Sequence, residues 1–433
     1  MPRLLEVSVP ESFGARLRAY RVAAGLSMGE LARRVNYHKS YLSKIENDHK
    51  PPSLVLAKLC DAALGTGGGL AALVVQDVPA AVEDTAGDVE AVGETWLLDL
   101  TASGGLRFGQ GDRPPTSGLA GFTAMAGSGQ NADDHVIAAL RATFDQYRVL
   151  GMTVSPALVL GPVIAHLHSL RSLAATASGP VRTELLMLAS RVAEYAGWMS
   201  QEAGDDRAAG WWTDQAVRLG AESLDPQIVS YALVRRAEVA LYRHDAISTI
   251  ELAVRAQLDP RTAPRVLGLA ARCEAQGHAL AGDLDACRRA LDRAAKLFAL
   301  AAAEPPSSAP ILGSSTGSDE LRLALGWSLF DLGRPGEAAA MLDLPLASIP
   351  PFARRARARF GVRQALAYGQ SGDVTQACLV IRAALDDAVR VDSATIRADL
   401  RYLIRTLNRW PTHQAVRETQ PLLLRALSTQ AGE

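Results

Sequence analysis

The 433-residue sequence lacks the features of a secreted, membrane-spanning or metal-binding protein. Its four cysteines, at positions 60, 273, 287 and 378, form no CxxC pair and no metal-ligand spacing. No stretch reaches about 18 consecutive apolar residues, and the N-terminus has no signal-peptide core. We therefore expect a cytoplasmic protein with reduced cysteines and no membrane partner.

Catalytic signatures are missing as well. The sequence has no HExxH, Walker, GxSxG or kinase motif. The glycine-rich run at 65–69 lacks the preceding strand and the following lysine of a phosphate loop. His166 and His168 are two residues apart on a predicted helix, so their side chains point to different faces. We expect no enzyme activity, no metal and no cofactor.

Aromatic residues are scarce at 5%, whereas hydrophobic residues reach 48% and are rich in alanine and leucine. This balance favours helices, and the sequence predicts an all-α fold. The net charge of −1 conceals an asymmetry: residues 1–74 carry ten basic and six acidic residues, and residues 75–134 carry two basic and ten acidic. A basic N-terminal part suits DNA, since DNA affinity comes largely from phosphate neutralisation.

The stretch from Leu26 to Lys50 predicts two short helices joined by a tight turn. Ser27 followed by Glu30 has the spacing of a capping box at the start of the first helix. Asn36 suits the left-handed conformation that such a corner often needs. The second helix buries two apolar residues at i, i+3 spacing, so its short, polar and basic side chains are left for contacts outside the core.

Side chains on the outer face of a helix in the major groove read base edges, while flanking side chains hold phosphates. On that geometry the expected base-edge readers are Lys39, Ser40, Ser43 and Lys44. Tyr41 is expected to meet a thymine methyl group or a phosphate. The expected phosphate contacts are Ser27, Asn47, His49 and Lys50. The alternative is an ordinary solvated helix face.

This pattern resembles the helix-turn-helix of the xenobiotic-response-element family, the lambda-type repressor fold. The matching residues, within 12–74, are Leu26, Glu30-Leu31-Ala32, Val35 and the run from Ser40 to Asn47. The resemblance implies a DNA-binding head that acts as a two-fold dimer. Met28 stands where family members usually carry a Gln that touches the DNA backbone, so that contact is not implied here.

Residues 76–132 differ in composition from the regions on either side. They are acidic at first and then rich in Gly, Pro and Ser, which is typical of a linker with little core. Two apolar runs, 95–100 and 106–108, flank Ser103-Gly104-Gly105 and predict a β-hairpin within this linker.

From residue 133 onward the pattern is helical and its turns repeat. Each turn is followed four or five residues later by a small residue, which lets two helices approach closely. The turns are Gly204-Asp205, His244-Asp245, Gly282-Asp283, Gly333-Arg334 and Gly372-Asp373. An insertion at 304–318, rich in Pro, Ser and Gly, lengthens one repeat. Two further helices, divided at Ser155-Pro156, precede the repeats.

Residues 180–425 resemble tetratricopeptide repeats, in the degenerate form joined to repressor-type heads in actinobacterial regulators. The resemblance is clearest in Gly204-Asp205 with Trp211-Trp212, and in Glu274-Ala275 with Gly282-Asp283. It implies a concave surface for a peptide or a partner helix. Peptide-sensing regulators of this plan clamp the peptide with Asn side chains, but Asn here occurs only at positions 36, 47, 131 and 408.

Two polar stripes in the repeats are candidate ligand contacts. The first, at i, i+4, i+7 and i+11 of one helix, is Tyr231, Arg235, Glu238 and Tyr242. The second is Arg355, Arg359 and Arg363, whose guanidinium groups suit an anionic group. The alternative for both stripes is a solvated helix face with i, i+4 pairs. We assign Trp198, Trp211 and Trp212 to the repeat core.

Together these features predict a helix-turn-helix DNA-binding domain at 1–75, an acidic, Gly-rich linker at 76–132 and a tetratricopeptide-like α-solenoid at 133–433. The predicted function is a sequence-specific transcriptional regulator that binds double-stranded operator DNA as a homodimer. Its repeats dimerise, or sense a small molecule, a peptide or a protein partner. The alternative is a protein-interaction scaffold whose head binds DNA weakly or without specificity.

Overall fold

The computed structural model describes residues 12–75, 133–305, 310–313 and 320–428, together with the backbone of two strands between the first two ranges. Within these residues every regular element is a helix, except for one two-stranded hairpin. The all-α architecture predicted from composition and periodicity is confirmed.

The N-terminal part, called the head below, folds into five helices. They are α1 (Phe13–Ala23), α2 (Met28–Arg34), α3 (Lys39–Glu46), α4 (Leu54–Leu64) and α5 (Gly69–Val75). Ser12, Ser27 and Ser53 cap the first, second and fourth helix, and each accepts a hydrogen bond from the backbone N–H three residues on. Ser27 and Glu30 form the predicted capping box. The left-handed corner is Asn36, with φ of +54°.

The linker contains the predicted hairpin. Strand β1 (Trp96–Leu100) pairs antiparallel with β2 (Leu106–Gln110), so that Leu100 lies opposite Leu106 and Trp96 opposite Gln110. The rest of the predicted linker, 76–95, 101–105 and 111–132, lies outside the described residues.

The described residues from 133 onward, called the array below, form helices that pack mainly on their neighbours in the sequence. They are α6 (Asp134–Gly151), α7 (Pro156–Thr176), α8 (Gly179–Ala203), α9 (Asp206–Glu222), α10 (Pro226–Tyr242), α11 (Ala246–Arg255), α12 (Pro264–Ala281), α13 (Leu284–Ala303), α14 (Glu320–Asp331), α15 (Pro335–Ser348), α16 (Arg354–Ser371), α17 (Val374–Val391), α18 (Ala394–Leu407) and α19 (Gln414–Ser428).

The repeated turns share one construction. The first helix ends at a residue in the left-handed conformation, and in four of the five turns the next helix begins at an aspartate cap. The exception is Arg334, whose side chain makes no cap hydrogen bond. Left-handed residues are Gly204, His244, Gly282, Gly333 and Gly372, with φ from +58° to +93°. The caps are Asp205, Asp245, Asp283 and Asp373, each accepting from the backbone N–H three residues on. The Gly-Asp pairs seen in the sequence are therefore a helix stop followed by a helix start.

Helix α7 is long and apolar enough to cross a membrane by length and composition. Its inward side nevertheless packs in the core shared with α6 and α8, where Val159, Val163, Leu167 and Leu170 are buried. The same core continues through α12, and a second core joins α16 to α19. In this structure α7 is a packed helix of the array.

The head rests on the turns that follow α12, α14 and α16, called the turn edge below. A methyl group added to Gly282 would lie 2.6 Å from the Cα of Gly68 in the head. One added to Gly372 would lie 3.0 Å from Nδ2 of Asn36. At these two glycines, head and array are therefore so close that a larger side chain has no space.

Arg409, in the turn between α18 and α19, connects the array to the corner of the helix-turn-helix. Its guanidinium donates to the carbonyl oxygen of Asn36 and, over 2.9 Å, to Oε1 of Gln370. The same group lies 4.0 Å from the ring centroid of Tyr37 and 4.6 Å from that of Trp410. The corner is thus held by the hydrogen bond from Arg409 to Asn36 and by the cation–π contact with Tyr37.

Candidate nucleic-acid interface and ligand cavity

Helix α3 has a buried face and an exposed face. Leu42 and Ile45 are fully buried in the head, as their spacing predicts. Lys39, Ser40 and Lys44 are exposed even though the array is docked. In a helix-turn-helix the start of the second helix reaches the base edges, and Lys39 and Ser40 are the first two residues of α3.

Glu46, the acidic residue of α3, is turned into the head. Nε and Nη2 of Arg21 donate to its two carboxylate oxygens over 2.8 and 2.6 Å, and Nη1 of Arg21 donates to the carbonyl of Leu26 over 2.8 Å. The hydrogen bond to Glu46 holds the pKa of Arg21 above its ordinary value. The exposed charges of α3 are therefore basic, which suits a groove lined by phosphates.

Two further residues of α3 are fixed by neighbours. Nδ1 of His38 accepts from the Ser40 backbone N–H over 3.3 Å and lies 2.7 Å from the Ser40 hydroxyl. With that nitrogen as acceptor, the hydroxyl donates to it and keeps its oxygen available to a base edge. Tyr41 is half-buried between the ring of Tyr37, 5.5 Å away between centroids, and the ammonium of Lys50, 4.6 Å from the ring centroid.

The residues expected to hold phosphates are all exposed: Ser27, Asn47, His49 and Lys50. Two of them also serve their own helices. The Ser27 hydroxyl accepts from the Glu30 backbone N–H over 3.2 Å, and Nδ2 of Asn47 donates to the carbonyl of half-buried Ser43 over 2.7 Å. His49 and Lys50 follow α3 directly.

The two polar stripes of the repeats meet at one cavity of about 340 Å³ inside the array. Its lining includes Tyr231, Arg235, Glu238 and Tyr242 of α10, and Arg355 and Arg359 of α16. Arg363 lies beside it, with its guanidinium carbon 3.1 Å from the ring centroid of Trp327, which lines the cavity. The volume is that of a small-molecule site.

The arginines of α16 already have carboxylate partners. Glu202, which is 1% exposed, binds Arg355 at 2.8 Å and Arg359 at 2.5 Å. Burial alone raises the pKa of Glu202, but Arg359 and Arg355 outweigh that effect and lower it to about 2. Arg363 pairs with Asp399 at 3.2 Å. The anion expected from the guanidinium groups is therefore supplied by the protein itself.

The charges of α10 are paired in the same way. Arg235, 6% exposed, binds Glu238 and donates to Oε1 of Gln201 over 2.6 Å. A second carboxylate, Glu194, lies 3.5 Å from its Nε atom. Burial raises the pKa of Glu194. Tyr231 and Arg235 are buried at the cavity, whereas the solvated-face alternative expects exposed side chains.

Sequence reasoning missed the residues that other helices bring to this cavity. Trp327 comes from α14, and Arg272 and Gln276 come from α12. Arg272 and Gln276 have the i, i+4 spacing that identified the first stripe, so the sequence contained a signal for them. Trp198, assigned to the core, packs against it and also lines the cavity, whereas Trp212 is buried core.

In the described part of the chain, no group of three or more His, Cys, Asp or Glu side chains is arranged to hold a metal. His166 is buried with its ring centroid 5.8 Å from that of Tyr147, and burial lowers its pKa. His168 is exposed. The two histidines point apart, as their spacing on α7 requires.

Comparison with known proteins concerns the head. Residues 12–74 match the family described as Helix-turn-helix domain. No curated protein and no solved structure matches the chain significantly. The matched residues contain the capping box, the left-handed corner and the open face of α3. Residues 12–74 are therefore a helix-turn-helix DNA-binding domain of the xenobiotic-response-element type.

Proposed function

We propose that the protein is a sequence-specific transcriptional regulator that binds operator DNA as a homodimer. The observation that carries this proposal is the open face of α3, where Lys39, Ser40 and Lys44 stay exposed while the array holds the head. These side chains and Ser43 read base edges, and the exposed residues around them hold phosphates.

The array fixes how the two heads of a dimer are presented. Heads of this kind read half-sites about one helical turn, or a multiple of it, apart. Because Arg409 and the turn edge hold each head, the spacing follows from the surface through which two arrays associate. We infer that the array is a degenerate tetratricopeptide solenoid and that the two chains of the dimer associate through it.

The array also senses a ligand through its cavity. Helices α10, α12, α14 and α16 each line the cavity and each lead to the head. In α16, Arg355 lies at the cavity and Gln370 binds Arg409. In α10, Tyr231 lies at the cavity, and His244 follows the helix beside Lys58 of the head. A ligand that favours one arrangement of these helices shifts the position of the head and thereby operator affinity.

The test is footprinting of the full chain on fragments of its own chromosome, with a salt titration on the strongest site. We expect a few sharp, two-fold-symmetric footprints. Lys39→Ala and Lys44→Ala each weaken binding roughly 5- to 150-fold, which corresponds to about 1–3 kcal/mol for a base contact. Lys296→Ala is the matched control, since it removes an exposed charge from α13 in the array.

Diffuse, salt-sensitive binding that both head variants leave unchanged contradicts a specific regulator. That result favours the scaffold alternative, in which the head anchors weakly and the array recruits a protein.

A further inference from the structure

The cavity of the array is walled by charges that neutralise one another. Glu202 binds Arg355 and Arg359, and Glu238 binds Arg235 and Arg272. At the rim, Arg148 has Asp145 3.9 Å away. The charges of the wall and of its direct partners balance, so a charged ligand that enters meets no net opposite charge to compensate its own, which is costly. The wall therefore disfavours both anions and cations.

Two neutral polar side chains in the same wall have no hydrogen-bond partner within the described part of the chain. Tyr231 and Gln276 are each 4% exposed, and both line the cavity. In the described wall, the fully buried atoms without a partner are guanidinium N–H groups of Arg191, Arg272 and Arg359, whereas the hydroxyl of Tyr231 and the amide of Gln276 open onto the cavity. Together they offer a hydroxyl, an amide N–H and a carbonyl oxygen to whatever occupies the cavity.

The rest of the lining is rich in aromatic rings. Tyr242 and Trp327 stand with centroids 5.5 Å apart, and Trp198 and Tyr195 form a second pair at 5.5 Å. Aromatic rings stack on or meet edge-to-face with a planar partner, at a gain beyond the apolar area that they bury. The surface is therefore suited to a flat ligand.

We propose that the cavity binds an uncharged, planar aromatic molecule whose hydroxyl or carbonyl groups bond to Tyr231 and Gln276. This molecule is the class of ligand that the array senses, and its regulatory role rests on the proposed function. A peptide does not match this cavity, since it carries charged ends and backbone groups at every residue.

The experiment compares three probes with one ring system: 2-naphthol, 2-naphthoate and 2-naphthylmethylammonium. Their affinities for the full-length protein are measured by calorimetry at pH 7. We expect 2-naphthol to bind at least tenfold more tightly than either charged probe. In a Tyr231→Phe, Gln276→Leu double variant, binding of 2-naphthol weakens roughly tenfold, because the variant cannot form the hydrogen bonds that orient the probe.

Tyr368→Phe is the matched control for the hydroxyl. Its hydroxyl donates to Asp343 over 3.0 Å, outside the cavity lining, so its loss leaves probe binding unchanged. A preference for naphthoate or for the ammonium probe overturns the proposal. The proposal is also overturned if none of the three probes binds, because the cavity then holds only water. It is overturned as well if the double variant binds 2-naphthol as tightly as the parent protein does.

Operator footprinting on the same preparations separates this inference from the proposed function. Specific footprints without binding of 2-naphthol leave the regulator standing and overturn the ligand class. Binding of 2-naphthol by a protein that gives no specific footprint supports the ligand class and overturns the regulator.

Discussion

The guanidinium of Arg409 lies 4.0 Å from the ring centroid of Tyr37, across 372 residues of chain. Tyr37 belongs to the corner of the helix-turn-helix, and Arg409 belongs to the last turn of the array. This contact, with the hydrogen bond to Asn36, ties the position of α3 to the end of the helical array.

Arg409→Ala releases the corner of the head. We expect the docking of head on array to weaken by roughly 2 kcal/mol, from one charge-assisted hydrogen bond to Asn36 and the cation–π contact with Tyr37. Small-angle scattering reports the change as a larger radius of gyration. Arg401→Ala, an exposed arginine of α18, leaves the scattering curve unchanged. An Arg409→Ala curve identical to that of the parent shows that the docking does not depend on this residue.

A comparison of Gly333→Ala with Gly25→Ala separates backbone strain from the contact between the array and the head. Gly333 has φ of +75°, and an added methyl group meets the carbonyl of Lys58 in α4. Gly25 has φ of +67° with open space around it, so Gly25→Ala measures the strain alone, about 1 kcal/mol. We expect both variants to lose stability in urea and Gly333→Ala alone to expand in scattering. Equal behaviour of the two variants contradicts close docking at this turn.

The free energy of unfolding depends on pH through Glu202. Its pKa is lowered to about 2 from an ordinary value of 4.5, so it stabilises the fold above pH 4.5 and loses that effect as the pH falls towards 2. The shift corresponds to about 3 kcal/mol. We expect Glu202→Gln to lower the unfolding free energy at pH 7 by about 3–5 kcal/mol, since two buried guanidinium groups lose their partner.

Urea titrations at pH 7 and pH 3 measure this effect, and the gap between parent and Glu202→Gln narrows at the lower pH. Glu222→Gln is the control, because its pair with Arg182 is half exposed and contributes less than about 1 kcal/mol. A gap of equal size at both pH values shows that the charge of Glu202 is not what stabilises the array.

We expect the four cysteines to be unreactive while the protein is folded. All are buried, and burial raises the pKa of Cys60 to about 12 and that of Cys287 to about 11. Since the thiolate is the reactive species, we expect no labelling by a disulfide reagent at pH 8 and labelling of all four after denaturation. Rapid labelling of one cysteine in the native protein identifies a local opening.

Local signals in the sequence predicted most of the head. Ser27 and Glu30, the corner at Asn36 and the apolar spacing of Leu42 and Ile45 act within a few residues, and each had the predicted structure. The Gly-Asp turns of the array are local in the same way. Short-range chemistry can be read from short stretches of sequence.

Contacts between distant parts of the chain could not be predicted. The stripes at 231–242 and 355–363 were visible as periodic patterns, but nothing in them showed that they face one cavity. Glu202 gave no signal, because its importance comes from Arg355, 153 residues away. The docking of Arg409 at the corner of the head was missed for the same reason.

The docked head divides the loops of the array into two kinds. Loops on the turn edge touch the head, so an added residue there lifts the head and changes how α3 meets a groove. The insertion at 304–318 has a different place in the structure. Of its residues, 310–313 are described: Leu312 is buried in the core of the array, and Ile311 and Gly313 line the cavity. A change of length in this insertion therefore alters the cavity, whereas a change of length at the turn edge alters how the head is held.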